Sequence, residues 1–208
     1  MGRDAKAWTM AADEIVGLVL GAGMSSRMGQ LKQLLPLAGE PALRRVARQA
    51  MEALPKVIVV LGYRAAEVRP ALAGLEVEVV VNQAYANGMT SSVQCGMRAA
   101  GSARGFIVCL GDQPSLQRAT IGRVVAGARE SGRGLVIPTY KGRRGHPIFL
   151  GCGYLEAVLA LLPEQGLNQV TRGYPADTLE VEVEEAEILD DMDTPADYKR
   201  EVERHRSA

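Results

Sequence analysis

Short, near-continuously apolar runs recur along this chain, separated by stretches in which apolar residues return every three or four positions. The runs at 15–20, 57–61, 77–81, 106–110 and 135–138 are too short for buried helices. They also lack the polar alternation of a half-exposed strand, so each reads as a strand covered by helices on both faces. Helical patterns at 41–54, 64–73, 89–100 and 119–131 intervene. In the first, Pro41 suits an opening helical position and Leu43, Val46, Ala47, Ala50 and Leu54 form one apolar stripe.

This alternation predicts the α/β class: a single three-layer, Rossmann-like domain with a mostly parallel sheet. Beyond residue 140 the pattern loosens. A strand is expected at 147–150, a helix at 153–162 and a terminal helix at 194–206. Residues 179–183 (Leu-Glu-Val-Glu-Val) alternate apolar with acidic, as a half-exposed strand does, and are expected to be antiparallel or at an edge. The expected organisation is a flexible N-terminal segment over 1–13 and one domain over 14–206, with an antiparallel edge portion to its sheet.

A formal net charge of zero over 208 residues argues against a large basic footprint for duplex nucleic acid or an anionic membrane; Lys141-Gly142-Arg143-Arg144 is only a local cluster. The opening residues carry Arg3, Asp4 and Lys6 and do not read as a signal peptide, and no apolar run approaches membrane-spanning length. The expectation is a soluble, cytoplasmic protein. Cys95, Cys109 and Cys152 form no Cys-x-x-Cys pair and read as buried small hydrophobes.

In a parallel sheet, ligands bind beyond the carboxyl ends of the strands. After the first run comes Gly21-Ala22-Gly23-Met24-Ser25-Ser26-Arg27-Met28-Gly29-Gln30-Leu31-Lys32, a glycine-rich turn with two cations five residues apart. Glycines let backbone N–H groups approach an anion, and Arg27 and Lys32 add positive charge, so the segment reads as a phosphate cradle. It matches neither the dinucleotide fingerprint, which needs glycine where Ser26 stands, nor the P-loop, which needs Lys-Ser or Lys-Thr where Gln30 and Leu31 stand.

Asp112, in Gly111-Asp112-Gln113-Pro114 after the fourth run, reads either as a ligand for Mg²⁺ on phosphates or as a turn residue. Asp193, in Asp193-Thr194-Pro195, reads as a second metal ligand or as a helix cap, roles that are compatible. Ser91 and Ser92 open a helix and serve either as anion contacts or as caps. His146, between Gly145 and Pro147, either contacts an acceptor or shapes the entry to a strand, and His205 reads as a solvated surface residue.

Taken in order, the 21–32 turn with the Gln33-Leu34-Leu35 that follows it, Gly62-Tyr63, Asn82, Gly88-Met89-Thr90-Ser91-Ser92, Gly111-Asp112-Gln113-Pro114, Gly145-His146-Pro147 and Asp193-Thr194-Pro195 resemble the Rossmann-like nucleotidyltransferases that activate cofactors. The likeness spans most of the chain and is greatest to the molybdenum cofactor cytidylyltransferases and their relatives. It implies transfer of a nucleoside monophosphate from an NTP to the phosphate of a molybdopterin, with release of pyrophosphate and with Mg²⁺ as cofactor. On this resemblance Arg27, Lys32 and Asp112 are catalytic, and Asp112 and Asp193 hold the metal. Leu20, Gly21, Ala22, Gly23, Ser25, Ser26, Gly62, Asn82 and Ser91 join Arg27, Lys32 and Asp112 in binding nucleotide, while Ser92, Gln113 and His146 meet the acceptor.

Cytidylyl-transferring relatives carry Ala-Gly before Ser-Ser-Arg and guanylyl-transferring ones carry paired glycines; Gly21-Ala22-Gly23 mixes the two, and CTP is favoured. The alternatives are GTP, another phosphorylated acceptor, or a non-catalytic cofactor-binding partner. A transient molybdoenzyme client is expected to take the product.

Overall fold

Strand β1 (Ile15–Gly21) shows why the apolar runs are continuous: Ile15 and Val19 enter one buried cluster and Val16 and Leu18 another, on opposite faces of the sheet. In this computed structural model, which describes residues 14–206, the segment 1–13 expected to be flexible lies outside the described residues. The chain continues through a small hairpin, β2 (Pro36–Leu37) and β3 (Glu40–Pro41), then α1 (Ala42–Ala53), β4 (Lys56–Leu61), α2 (Ala65–Val68), β5 (Glu78–Val81), α3 (Met89–Ala100) and β6 (Gly105–Leu110). There follow α4 (Arg118–Ser131), β7 (Leu135–Tyr140), β8 (Arg143–Arg144), β9 (Ile148–Gly151), α5 (Leu155–Leu159), α6 (Asn168–Gly173), β10 (Thr178–Glu182) and α7 (Pro195–Arg206).

The main sheet has the order β10-β7-β9-β6-β1-β4-β5, with β8 paired to β7. Strands β6, β1, β4 and β5 are mutually parallel, as are β7 and β10, while β9 runs antiparallel to both β6 and β7. The carboxyl ends of β1, β4, β5, β6, β7 and β10 therefore share one end of the sheet. Helices α1 and α4 cover one face through Leu43, Val46, Ile121 and Val124; α3, α5 and α6 cover the other through Val93, Met97, Val158 and Val170. This is the three-layer α/β architecture expected from the alternation.

The details differ from expectation where local chemistry intervenes. The helix expected over 64–73 is α-helical only to Val68 and continues as a 3-10 turn, Arg69–Leu72, which begins beside Pro70. The 179–183 stretch is at the sheet edge and parallel to β7; the antiparallel pairs belong to β8 and β9. Cys109 is buried as expected, its thiol pushed up to about 12 by burial, but Cys152 is exposed. His205 is corrected from a surface residue to a packed one: its side chain is 6% exposed, because the docked face of α7 carries it.

Gly62 is where the chain leaving β4 crosses the turn that follows β1. A Cβ there would lie 2.6 Å from the Cβ of Tyr85 and 2.8 Å from that of Ala22, atoms that no side-chain rotation can move. Gly62→Ala should therefore destabilise the fold by about 1–3 kcal/mol, the usual range for overpacking, read as a lower urea midpoint at unchanged m-value.

Candidate active site

The turn after β1 is organised by Gln33, a residue 2% exposed at its far end. The Gln33 amide donates to the carbonyls of Gly21 (3.1 Å) and Gly23 (2.8 Å), and the Ala22 carbonyl accepts from the Tyr63 N–H at 3.1 Å. Ser25, in the left-handed region at φ 56°, donates its hydroxyl to Gln33 Oε1 (3.2 Å) and accepts from the Lys32 N–H (3.1 Å). With its carbonyls turned inward, the turn leaves the backbone N–H groups of residues 23–27 without an acceptor among the described residues. A run of undirected N–H donors of this kind is a cradle for an anion.

A single 3-10 turn, Lys32–Leu34, then aims Lys32 across the sheet end. Its ammonium lies 2.5 Å from Asp112 Oδ2 and 2.9 Å from Asp193 Oδ1, and Arg27 reaches the other oxygen of Asp193 at 2.7 Å. Burial alone would lower the Lys32 pKa. The two carboxylates outweigh it, so the net shift is upward and the charge is firmly held. The Arg27 side chain is 69% exposed, whereas that of Lys32 is 13% exposed.

Asp112 follows β6, where the Gly111 N–H bonds the Leu20 carbonyl at 2.9 Å. Asp193 is released for this role because capping falls to its neighbours: Thr194 Oγ1 caps α7 while Asp197 Oδ2 accepts from the N–H groups of Asp193 and Thr194. The two aspartate loops are also joined directly, Met192 N–H to the Asp112 carbonyl at 2.9 Å.

A cavity of about 390 Å³ opens beside this charge cluster. Leu20, Gly21, Ala22, Gly23, Arg27, Lys32, Asp112 and Asp193 line it together with Ser92, so the structure gathers these expected residues around one hollow. The others lie apart from it. Ser25 and Ser26 line a separate hollow on the outer side of the turn, Gly62 packs beneath Ala22, and Asn82 and Ser91 line another cavity across α3. The Asn82 amide is occupied in donating to the hydroxyls of Ser91 (2.9 Å) and Ser92 (3.1 Å).

Gln113 is buried and supports the aspartate loops, donating to the Ile188 carbonyl (3.1 Å) and to Asp191 Oδ1 (2.9 Å) while its Oε1 is unpartnered. His146 is held by its backbone N–H on the Ile188 carbonyl at 3.1 Å. Burial lowers its imidazole pKa to about 4 despite the nearby Asp112, so it is uncharged at neutral pH.

Three lining residues carry chemistry that the sequence motifs did not single out. Gln33 follows Lys32 within the motif but was assigned no role from the sequence. Asp191 lines the cavity with its carboxyl pKa raised by burial and by Asp112. Tyr85 arrives from the loop after β5 and packs tilted against Tyr63. As for metals, the described residues hold no cluster of three or more His, Cys, Asp or Glu suited to an ion. Two carboxylates already facing one cation are nevertheless the hard-oxygen set that Mg²⁺ or Mn²⁺ uses alongside phosphate oxygens.

Residues 17–180 match the model of the MobA-like NTP transferase domain. The chain belongs to that family. By that membership the chain is a nucleotidyltransferase. It is 31% identical over 189 residues, 90% of this chain and 95% of the other, to the molybdenum cofactor cytidylyltransferase of Escherichia coli. It is also 34% identical over 154 residues, 69% of this chain and 74% of the other, to the nicotine blue oxidoreductase of Paenarthrobacter nicotinovorans. The Rv0371c protein of Mycobacterium tuberculosis, solved in complex with manganese, superposes with a TM-score of 0.75 at 27% identity, covering 91% of this chain and 98% of that one. The family match stops short of Asp191, Asp193 and α7, so the second carboxylate comes from the part of the chain beyond it.

Two outcomes follow from the electrostatics. Replacing Lys32 by Met removes the cation shared by Asp112 and Asp193 and leaves only the exposed Arg27 on Asp193, so nucleotide-free K32M should bind Mn²⁺ at least about tenfold more tightly than the parent, read from the free-ion signal by electron paramagnetic resonance. For His146, the unfolded chain takes up a proton near the ordinary pKa of 6.5 and the folded chain only near 4. Between those values the unfolded state holds more protons, so stability should fall as pH drops through that window. His146→Gln should flatten the fall, as seen in urea midpoints measured across it.

Proposed function

We propose that the protein transfers CMP from CTP to the phosphate of a molybdopterin-type cofactor and releases pyrophosphate. The observation that carries the reading is the Lys32 ammonium shared by Asp112 and Asp193, with Arg27 beside it, at the edge of a cavity whose wall includes the turn after β1. The name of the E. coli relative supports both the nucleotide and the acceptor.

In this reading an oxygen of the acceptor phosphate attacks the α-phosphorus of the nucleotide, and the bond from that phosphorus to the bridging oxygen of the β-phosphate breaks. The acceptor is already ionised near neutral pH, so no side chain has to remove a proton, and no covalent protein intermediate is needed. Catalysis then rests on positioning and on charge. Lys32 and Arg27 hold the triphosphate and offset the charge that gathers on departing pyrophosphate, while the N–H groups of the cavity-lining Gly23, Met24 and Arg27 bind phosphate oxygens. Asp112 and Asp193 would hold Mg²⁺, which supplies charge neutralisation between phosphate oxygens; the manganese in the Rv0371c structure supports a divalent ion. On the family resemblance Ser92, Gln113 and His146 meet the acceptor; Ser92 lines the cavity, Gln113 is buried behind it, and the imidazole of His146 is uncharged at neutral pH. A client molybdoenzyme receives the product directly.

The test is pyrophosphate release with each of the four NTPs, with and without molybdopterin. CTP together with molybdopterin should give the highest rate; GTP in its place would make the enzyme a guanylyltransferase, and no release under any pairing would make it a binding protein. At saturating nucleotide, Lys32→Ala should lower kcat by about a hundred- to a thousandfold, the loss that follows removal of one preorganised charge-stabilising donor. Retention of rate within about threefold would remove Lys32 from the mechanism.

A further inference from the structure

Helix α7 buries a carboxylate: Glu201 is 4% exposed. A buried carboxylate is costly unless its oxygens are taken, and here both are. Glu201 Oε2 accepts the hydroxyl of Ser115 at 2.6 Å, and Oε1 faces the Arg204 guanidinium at 2.5 Å. The same guanidinium bonds Asp190 Oδ2 at 2.8 Å. Ser115 lies three residues after Asp112, and Asp190 lies three before Asp193. One carboxylate thus ties the flank of one aspartate loop to the flank of the other.

We infer that Glu201 is a positioning residue that sets the separation of Asp112 and Asp193, and through it the affinity of the site for a divalent cation. The inference rests on the reading of those two aspartates as the cation-holding pair. Near the aspartates the loops are joined by the Met192 N–H on the Asp112 carbonyl and by the Gln113 amide on Asp191 Oδ1 and the Ile188 carbonyl. The Ser115–Glu201–Arg204–Asp190 chain ties them again at their flanks, three residues from each aspartate. The rest of α7 adds little restraint: Tyr198 and Val202 are only half-buried against Met28, Leu37 and Met192, and the Tyr198 hydroxyl reaches the Pro36 carbonyl at 2.9 Å. Substituting groups that orient metal-binding side chains typically costs ten- to a hundredfold in affinity.

The test measures Mn²⁺ binding by electron paramagnetic resonance in the full chain with a non-hydrolysable CTP analogue present, alongside thermal unfolding. Glu201→Gln keeps the shape and the Ser115 hydrogen bond but loses the charge on Arg204, and Ser115→Ala cuts the tie at its other end. Both should raise the Mn²⁺ dissociation constant by about tenfold or more. A role confined to stability would lower the unfolding temperature and leave the affinity of the folded protein unchanged. Mn²⁺ dissociation constants within twofold of the parent in folded Glu201→Gln and Ser115→Ala would overturn the inference, and should Glu201→Gln fail to fold, Ser115→Ala decides alone. If the parent itself binds no Mn²⁺, the cation-pair reading falls and takes the inference with it.

Discussion

The ammonium of Lys32 holds together three segments that are far apart in the chain: the turn after β1, the loop after β6 and the approach to α7. Two carboxylates brought this close would repel each other strongly at the low effective dielectric of a half-buried site. The lysine charge makes their approach tolerable, and the carboxylates in turn keep that lysine charged. Much of the surrounding structure serves this arrangement. Gln33 and Ser25 fix the base of the Lys32 turn, Gly111 lets the β6 loop pass against Leu20, and Thr194 with Asp197 takes over the capping that would otherwise occupy Asp193.

The sheet places this cluster but does not specify it. Parallel packing of β1 against β4 and β6 puts the turn after β1 and the loop after β6 side by side, which is why the cradle and Asp112 meet. The reversal at β9 has a second effect. It brings Gly145-His146-Pro147, which precedes β9, to the same end of the sheet as Asp112, so an uncharged imidazole stands behind the charged cluster. Site and scaffold therefore divide the work: apolar strands fix where loops begin, and buried polar side chains fix how those loops are shaped.

Much of this was legible in the residues. The apolar runs marked the central strands because strands buried on both faces need no polar positions, and the cradle, Asp112 and Asp193 stood out as charge and glycine at strand ends. What escaped were residues whose work is done by contact. Gln33 lies in the motif after β1 but was given no role there; it matters because its amide reaches two carbonyls of the turn. Asn82 and Ser91 read as nucleotide contacts, yet in the fold they bond each other, a pairing that depends on how the loop after β5 meets α3. His205 looked solvated because a helix this charged shows no apolar stripe, and its docked face is built around Glu201 instead.

By itself, then, the order of apolar runs and helical stripes determined the layered α/β class and the sheet end at which chemistry collects, since period and burial are local properties of a chain. Only the tertiary structure decided that Lys32 answers both aspartates, that Asp193 is free of its cap, and that one carboxylate on α7 spans the two loops. The first and the last of these rest on contacts between residues some eighty to a hundred and sixty positions apart. Coulombic attraction and hydrogen bonding at that sequence separation exist only once the sheet has brought the strand ends together.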